Sequence, residues 1–341
     1  MRKKKSIRTG IPYSKPMQIS IQPNLACNAR CLMCDCWHEK TNYLTSAELI
    51  KTLKEMREWM GPDFFIQIAG GEPLIFPGMY DIFRFCADNQ IICKINTNGI
   101  AFTERICQRI IDSGLKYLTV SIDSHKAEIH DKYRGVPGTF ERAEFGLKYL
   151  KKNSKMVLGV SVVLMKENVK DIREMTEYFL SLGVDRVLYQ PIRVFTNDIP
   201  TWKDYEFWPD DIEALRDGIG WLKEMHKADS RIMNTEDHLD MMLEYFTHPE
   251  SIINRKNCYI GFDQITINYK GEVFLCDAFG TIGNIKDGNV KDMWNSDKAK
   301  RVRKAMETCK FPCTSNCKKE LTFGQKVSKF WAFYKAGMFK K

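Results

Sequence analysis

"NLACNARCLMCDCW", residues 24–37, places Cys27, Cys31, Cys34 and Cys36 within ten positions as C-x3-C-x2-C-x-C. Pairing them as disulfides would close very short loops and would require an oxidising compartment. The N-terminus, "MRKKKSIRTGIPYSKP", is basic but lacks the apolar core of a signal peptide. No run approaches the roughly 18 apolar residues of a membrane-spanning helix. A reducing cytoplasm is therefore expected, and there clustered thiols serve as metal ligands or reactive groups rather than crosslinks.

Around this stretch, from residue 17 to about 192, apolar runs alternate with helical patterns. The expected strands are "MQISIQ" (17–22), "FFIQIAG" (64–70), "IICKINT" (91–97), "YLTVSID" (117–123), "MVLGVSVVLM" (156–165) and "RVLYQPI" (186–192). Helical stretches at 45–60, 78–89, 103–113, 139–152 and 169–182 separate them, the first with a Thr45/Glu48 capping box. Strand alternating with helix predicts an α/β fold with a parallel sheet and helices outside it. The largely apolar strands predict burial on both faces. Six such units are too few for a closed eight-stranded barrel, so the expectation is a partial (β/α)6 barrel with its chemistry at the C-terminal strand ends. The first strand runs into the cysteines, and others end in "GGEP" (70–73), "NTNG" (96–99), "SIDS" (121–124) and "YQPI" (189–192).

The 341 residues suffice for a large domain and a smaller one, with 44% hydrophobic and 28% charged residues. The net charge of +9 gathers towards the two ends. Twelve cysteines form a cluster near each terminus, with Cys86, Cys93 and Cys107 between them and none from 108 to 257. Cys86, Cys93 and Cys107 lack metal spacing and read as small core residues. After helices near 209–228 and 236–246, "QITINYKGEVFLC" (264–276) reads as a hairpin turning at "YKGE", and 291–307 as helical. The expected organisation is a barrel over 1–195, a helical linker over 196–257, a small cysteine domain over 258–320 and a C-terminal helix over 321–341.

Zinc favours four ligands, whereas three thiolates can hold a 4Fe–4S cube with one iron left open to a small molecule. C-x3-C-x-hydrophobe-C after a first strand, with Met33 as the hydrophobe and "GGEP" after the second, resembles the radical SAM superfamily over roughly residues 15–195. The resemblance implies that Cys27, Cys31 and Cys34 hold a 4Fe–4S cluster and that S-adenosylmethionine chelates its fourth iron. One electron then yields a 5′-deoxyadenosyl radical, which takes hydrogen from a substrate. It further implies that Met33 packs near the adenine and that Gly70, Gly71, Glu72 and Pro73 receive the methionine amine. Asn98, Ser121 and Asp123 would contact the ribose or methionine part, with loop capping as the alternative for Asn98 and Asp123. Arg134 would pair with the methionine carboxylate through its guanidinium fork, and Gln190 would face the nucleoside. Cys36 is expected to be a bystander thiol, since a fourth thiolate would block the open iron.

Near the C-terminus, Cys258 and Cys276 flank the hairpin as C-x12-G-x4-C around Gly271, followed by Cys309, Cys313 and Cys317 as C-x3-C-x3-C. This resembles the SPASM/Twitch extension, as does "GNI" (283–285). The full SPASM pattern has seven cysteines; five imply one auxiliary 4Fe–4S cluster, with Cys258, Cys276, Cys313 and Cys317 as ligands and Cys309 as substitute or spectator. A structural zinc site is the alternative. Asp277, directly after Cys276, resembles a residue implicated as a base in sulfatase-maturing relatives; an Asx turn is the competing reading.

Residues 325–341 place Val327, Phe330, Trp331, Tyr334 and Met338 on one helical face. That face either docks on the barrel or lies on an anionic membrane surface. The resemblance implies a low-potential reductant such as flavodoxin or ferredoxin, and a peptide or small-molecule substrate, with a lipid or sugar intermediate as a further possibility. A non-catalytic nucleic-acid-binding protein is the reading from a different class. It is disfavoured because the basic residues are terminal rather than striped with aromatics, and no nucleic acid is expected.

Overall fold

The computed structural model describes residues 6, 12, 14–39, 43–193, 204–252, 258–310 and 313. Cys317, the C-terminal helix expected over 321–341 and the basic N-terminal run lie outside them. Six strands follow in chain order: β1 (Gln18–Ile21), β2 (Phe65–Ile68), β3 (Ile92–Thr97), β4 (Tyr117–Ser121), β5 (Val157–Leu164) and β6 (Arg186–Pro191). Each pairs in parallel with the next, giving the expected partial barrel. Between them run α1 (Ser46–Met60), α2 (Met79–Asp88), α3 (Glu104–Asp112), α4 (Ala127–Arg134), α5 (Thr139–Asn153) and α6 (Ile172–Ser181), and α7 (Ile212–Ala228) and α8 (Glu236–Thr247) follow β6. Helix α1 starts on the expected capping box: the Thr45 side chain accepts from Glu48 N–H and the Glu48 carboxylate from Thr45 N–H.

Burial on both strand faces forms in β5, where Leu158 to Val162 are all buried, but not in its neighbours. Strands β1, β2, β4 and β6 alternate between buried and half-exposed residues. Ile19, Ile66, Ile95, Leu118, Val160 and Val187 are fully enclosed in the core shared with the helices. The other face carries Ser20, Gln67, Asn96, Ser121 and Gln190. A barrel interior that must admit a ligand keeps such polar side chains, and the apolar look of the strands comes from their helix-facing residues.

The sheet continues past the six strands. β7 (Gln264–Ile267) pairs in parallel with β1, Ile21 opposite Ile267. Antiparallel β8 (Glu272–Phe274) and β9 (Gly283–Asn284) then extend it in the order β6-β5-β4-β3-β2-β1-β7-β8-β9. The hairpin turns at Gly271, whose φ of +83° admits glycine most readily. The helical stretch after it breaks at Ser296 into α9 (Val290–Asn295) and α10 (Asp297–Met306), because the Ser296 hydroxyl caps α10 through Ala299 N–H. Among the described residues, no helix is long and apolar enough to cross a membrane.

Arg303 fastens α10 beneath the hairpin. It is 2% exposed, and its Nε donates to Gly261 O at 2.8 Å and Nη2 to Trp294 O at 3.0 Å. Its guanidinium lies 4.4 Å from the Trp294 ring centroid. Arg303→Ala removes two charge-assisted bonds and a buried stack, and is expected to cost about 3 kcal/mol in urea unfolding. A loss below about 0.5 kcal/mol, the level of an ordinary surface change, would refute this role.

Candidate active site

The cysteine loop leaves β1 and is held by three elements. The segment after β2 zips to its start: Gly71 N donates to Asn24 O at 3.0 Å and Glu72 N to Ala26 O at 2.9 Å. A Cβ on Gly71 would sit 2.1 Å from Ala26 O, and one on Gly70, at φ +116°, 2.7 Å from Asn24 O. Both positions therefore require glycine for a backbone-to-backbone approach within the chain itself.

After β3, Asn98 braces the loop from a second side. Its Nδ2 donates to Asn28 Oδ1 at 2.8 Å and contacts Cys27 Sγ at 3.5 Å, and its Oδ1 accepts from Ile100 N–H. From the third side, Arg30 N donates to Arg134 O and Leu32 N to Tyr133 O, both at 2.9 Å. Those carbonyls belong to α4, which ends at Gly135 (φ +66°), where a Cβ would meet Arg30 O at 2.2 Å. Helix α4 was not anticipated from the sequence. Its signal was present, with Lys132 and Arg134 in a last turn closed by glycine.

The site residues divide by orientation. Glu72 is buried and its carboxylate accepts from Leu74 N at 3.0 Å, Thr97 Oγ1 at 2.7 Å and Asn98 N at 2.8 Å. Desolvation pushes its pKa up against those three donors. It fixes the rim with most of its acceptor capacity rather than offering an open carboxylate to an amine. Asn98, 6% exposed, faces the cysteines rather than an open ligand position. Asp123 is fully buried, so the expected contact with ribose or methionine gives way to an ion pair. Its Oδ2 lies 2.7 Å from Arg134 Nη2, and its Oδ1 accepts from Val163 N at 3.0 Å. Ser121 is half-exposed, opposite Ser161 on β5. Gln190 is exposed at the end of β6, and Met33 is half-buried against the core.

Burial pushes the Cys27 thiol up to about 11; Ala29 N–H and the Asn98 side chain oppose it, the nearby Glu72 and Cys31 add to it. Burial also raises Cys31, while Arg134, whose Nη1 lies 3.9 Å from its sulfur, lowers it. Cys36 donates to Cys34, which holds Cys34 down to about 6 and pushes Cys36 up. A metal that takes raised thiols as thiolates must displace their protons. The donor set fits an iron–sulfur cluster: soft sulfur ligands, with N–H groups of Ala29, Asn98 and Arg134 directed at two of them. Buried polar atoms without a hydrogen-bond partner also gather here, among them both amide atoms of Asn24, Trp37 Nε1, Arg134 Nε and Asp123 Oδ2.

Cys258, Cys276, Cys309 and Cys313 are all half-buried. Burial pushes Cys276 up to about 11, and the charges of Cys313, Asp277 and Cys258 add to it, so these groups are neighbours. Among the described residues, no three His, Cys, Asp or Glu side chains converge as they would around one metal ion. Asp277 is exposed.

Residues 21–179 match the profile of the radical SAM superfamily, and residues 258–319 that of the SPASM iron–sulfur cluster-binding domain. The chain carries a radical SAM domain followed by a SPASM domain. It is an enzyme whose cofactors are S-adenosylmethionine, a 4Fe–4S cluster and auxiliary iron–sulfur centres. It is 26% identical over 321 residues to the AdoMet-dependent heme synthase of Methanosarcina barkeri, covering 87% of each chain. It is 25% identical over 296 residues to the PqqA peptide cyclase of Methylocella silvestris, covering 82% of this chain and 74% of the relative. Streptococcus suis SuiB bound to S-adenosylmethionine shares the fold, with a TM-score of 0.69 at 17% identity over 89% of this chain and 70% of that one.

Gly71→Ala forces the rim segment away from Ala26. The purified variant is expected to stay folded by circular dichroism yet retain less than about half the iron of the parent after anaerobic reconstitution, as loss of ligand pre-organisation demands. Iron retention equal to the parent would show that the zipper is dispensable.

Proposed function

We propose that Cys27, Cys31 and Cys34 hold the catalytic 4Fe–4S cluster, with S-adenosylmethionine lying along the rim from Gly70–Pro73 to Ser121, Arg134 and Gln190. The observation that carries this reading is Arg134. It is buried, it contacts the sulfur of Cys31, and its Nε has no partner, which suits it to the carboxylate of a cluster-bound ligand. Bound there, the group supplies one-electron cleavage of S-adenosylmethionine and, through it, the radical that removes a substrate hydrogen. The chain's own residues do the holding. Glu72 locks the Gly70–Gly71 backbone where an amine would be received, Arg134 orients the carboxylate, and Met33 packs beside the adenine.

The same proposal places the core at 1–195, the helical linker at 196–257 and the auxiliary-cluster domain at 258–320. Cys258, Cys276, Cys313 and Cys317 hold one auxiliary cluster, with Cys309 in reserve. Asp277 is the base that takes a substrate proton. A flavodoxin or ferredoxin supplies the electron.

The substrate we propose is a carboxylate-bearing small molecule. On the inner sheet face, Lys94 Nζ lies 4.0 Å from the Phe65 ring centroid, and Arg186 lies 5.4 Å from that of Tyr117. Both cations lie towards the N-terminal strand ends of that face, below Asn96 and Ser121, and suit the far end of an anion reaching down from the rim. The relative matched over 87% of both chains is a heme synthase. Peptide substrates are the second reading, favoured by the likeness to a peptide cyclase.

Reconstituted anaerobically, the protein is expected to bind about eight irons per chain and to release 5′-deoxyadenosine with S-adenosylmethionine and a low-potential reductant. The Cys27→Ala/Cys31→Ala/Cys34→Ala variant should keep about four irons and release none. Full iron retention by that variant would overturn the ligand assignment, and zinc in place of half the iron would make the second site structural. A tetracarboxylate porphyrin should bind the parent in a salt-sensitive way and Lys94→Met/Arg186→Met at least fivefold more weakly. Equal binding by both would remove the anion argument.

A further inference from the structure

The resemblance assigns Asp123 to the cofactor's edge, yet the structure encloses it completely. Three of its four polar atoms hydrogen-bond within the chain, and the fourth, Oδ2, is buried with the Arg134 guanidinium as its ion-pair contact. Its Oδ1 accepts from Val163 N at 3.0 Å, its backbone N donates to His130 Nδ1 at 3.1 Å, and its backbone carbonyl accepts from Asn168 Nδ2 at 2.8 Å. Its Oδ2 stands 2.7 Å from Arg134 Nη2. His130, fully buried, is kept neutral by desolvation and then by the nearby Arg134, which suits the acceptor role of its Nδ1. Asn168, also fully buried, donates a second bond to Val163 O at 2.8 Å. Asp123 is thus pinned from α4, β5 and the loop before α6, with its one outward-acting oxygen on Arg134.

Arg134 has three edges. Nη2 is held by Asp123, Nη1 reaches Cys31 Sγ at 3.9 Å, and Nε is buried without a partner. An arginine without Asp123 would have many rotamers. With it, the fork is fixed, Nη1 stands against the Cys31 sulfur and Nε is left as a buried donor with capacity to spare.

We propose that Asp123 is a positioning residue for S-adenosylmethionine. It never touches the ligand, but it sets the orientation of Arg134 so that one guanidinium faces the Cys31 sulfur and the ligand carboxylate together. The inference rests on the site reading given above for Arg134, and it adds that the carboxylate-selective part of cofactor affinity is controlled from inside the core.

The test compares two ligands, S-adenosylmethionine and its decarboxylated analogue, titrated against the anaerobically reconstituted full chain. Asp123→Asn is expected to weaken S-adenosylmethionine at least tenfold, with iron content kept and the decarboxylated analogue bound as by the parent. Equal weakening of both ligands would mean general damage, and no weakening would mean an inert ion pair; either overturns the proposal. If Asp123→Asn does not fold, Asp123→Asn/Arg134→Gln replaces the buried pair by neutral groups and is compared with Arg134→Gln. The two are expected to bind S-adenosylmethionine within twofold of each other. A further loss in the double variant would show that Asp123 has a contact of its own and overturn the proposal. A parent protein that binds iron but not S-adenosylmethionine would instead defeat the site reading, and the inference with it.

Discussion

Two backbone hydrogen bonds, from Gly71 to Asn24 and from Glu72 to Ala26, govern the geometry of the rim. They bring main chain against main chain at a distance that no side chain on Gly71 would allow. Once they form, the start of the cysteine loop is fixed to the end of β2. Glu72 is carried inward to accept from Thr97 and Asn98, and Asn98 is set against Cys27 and Asn28. Three consecutive strand ends are thereby cross-linked through one carboxylate and one amide. A loop rich in thiols would otherwise be free to adopt many shapes, and a cluster could recruit it only at the cost of that freedom.

The closing side of the loop is built differently. There the backbone of Arg30 and Leu32 meets the last carbonyls of α4, and the same turn delivers Arg134. Helix ends leave carbonyls without partners, and here the cysteine loop satisfies them. The cluster loop and the arginine are consequently one mechanical unit. A displacement of α4 carries the Arg134 backbone and the loop together, while the Asp123 pair ties the guanidinium itself to the ends of β4 and β5.

Much of this was legible from the residues. The strand and helix sequence, the capping box at Thr45, the hairpin turn at Gly271 and the cysteine spacing all rest on local chemistry, and local chemistry is what a sequence displays. The orientation of Asn98, Glu72 and Asp123 was not legible. All three sit in loops where an outward ligand contact and an inward brace use the same residue types, and only tertiary packing decides between them. The parallel pairing of β7 with β1 was hidden for a related reason: its partners are more than 240 residues apart, and nothing local marks the open edge of a six-stranded sheet.

That pairing has a consequence for the chemistry. Cys276 follows β8, which is hydrogen-bonded to β7, which is hydrogen-bonded to β1, which leads directly to Cys27. The two cysteine sets are therefore attached to one continuous sheet rather than to domains joined by a flexible tether. A sheet resists changes in strand spacing, because every shift must break ladder hydrogen bonds. Electron transfer or substrate anchoring between two centres needs a fixed separation, and a shared sheet provides it without an additional interface. Arg303 completes the arrangement by tying α10, and with it the chain leading to Cys309, to the turn that follows Cys258. The polar inner face of the first six strands lies on that same frame. A substrate held on that face would be held relative to both centres at once.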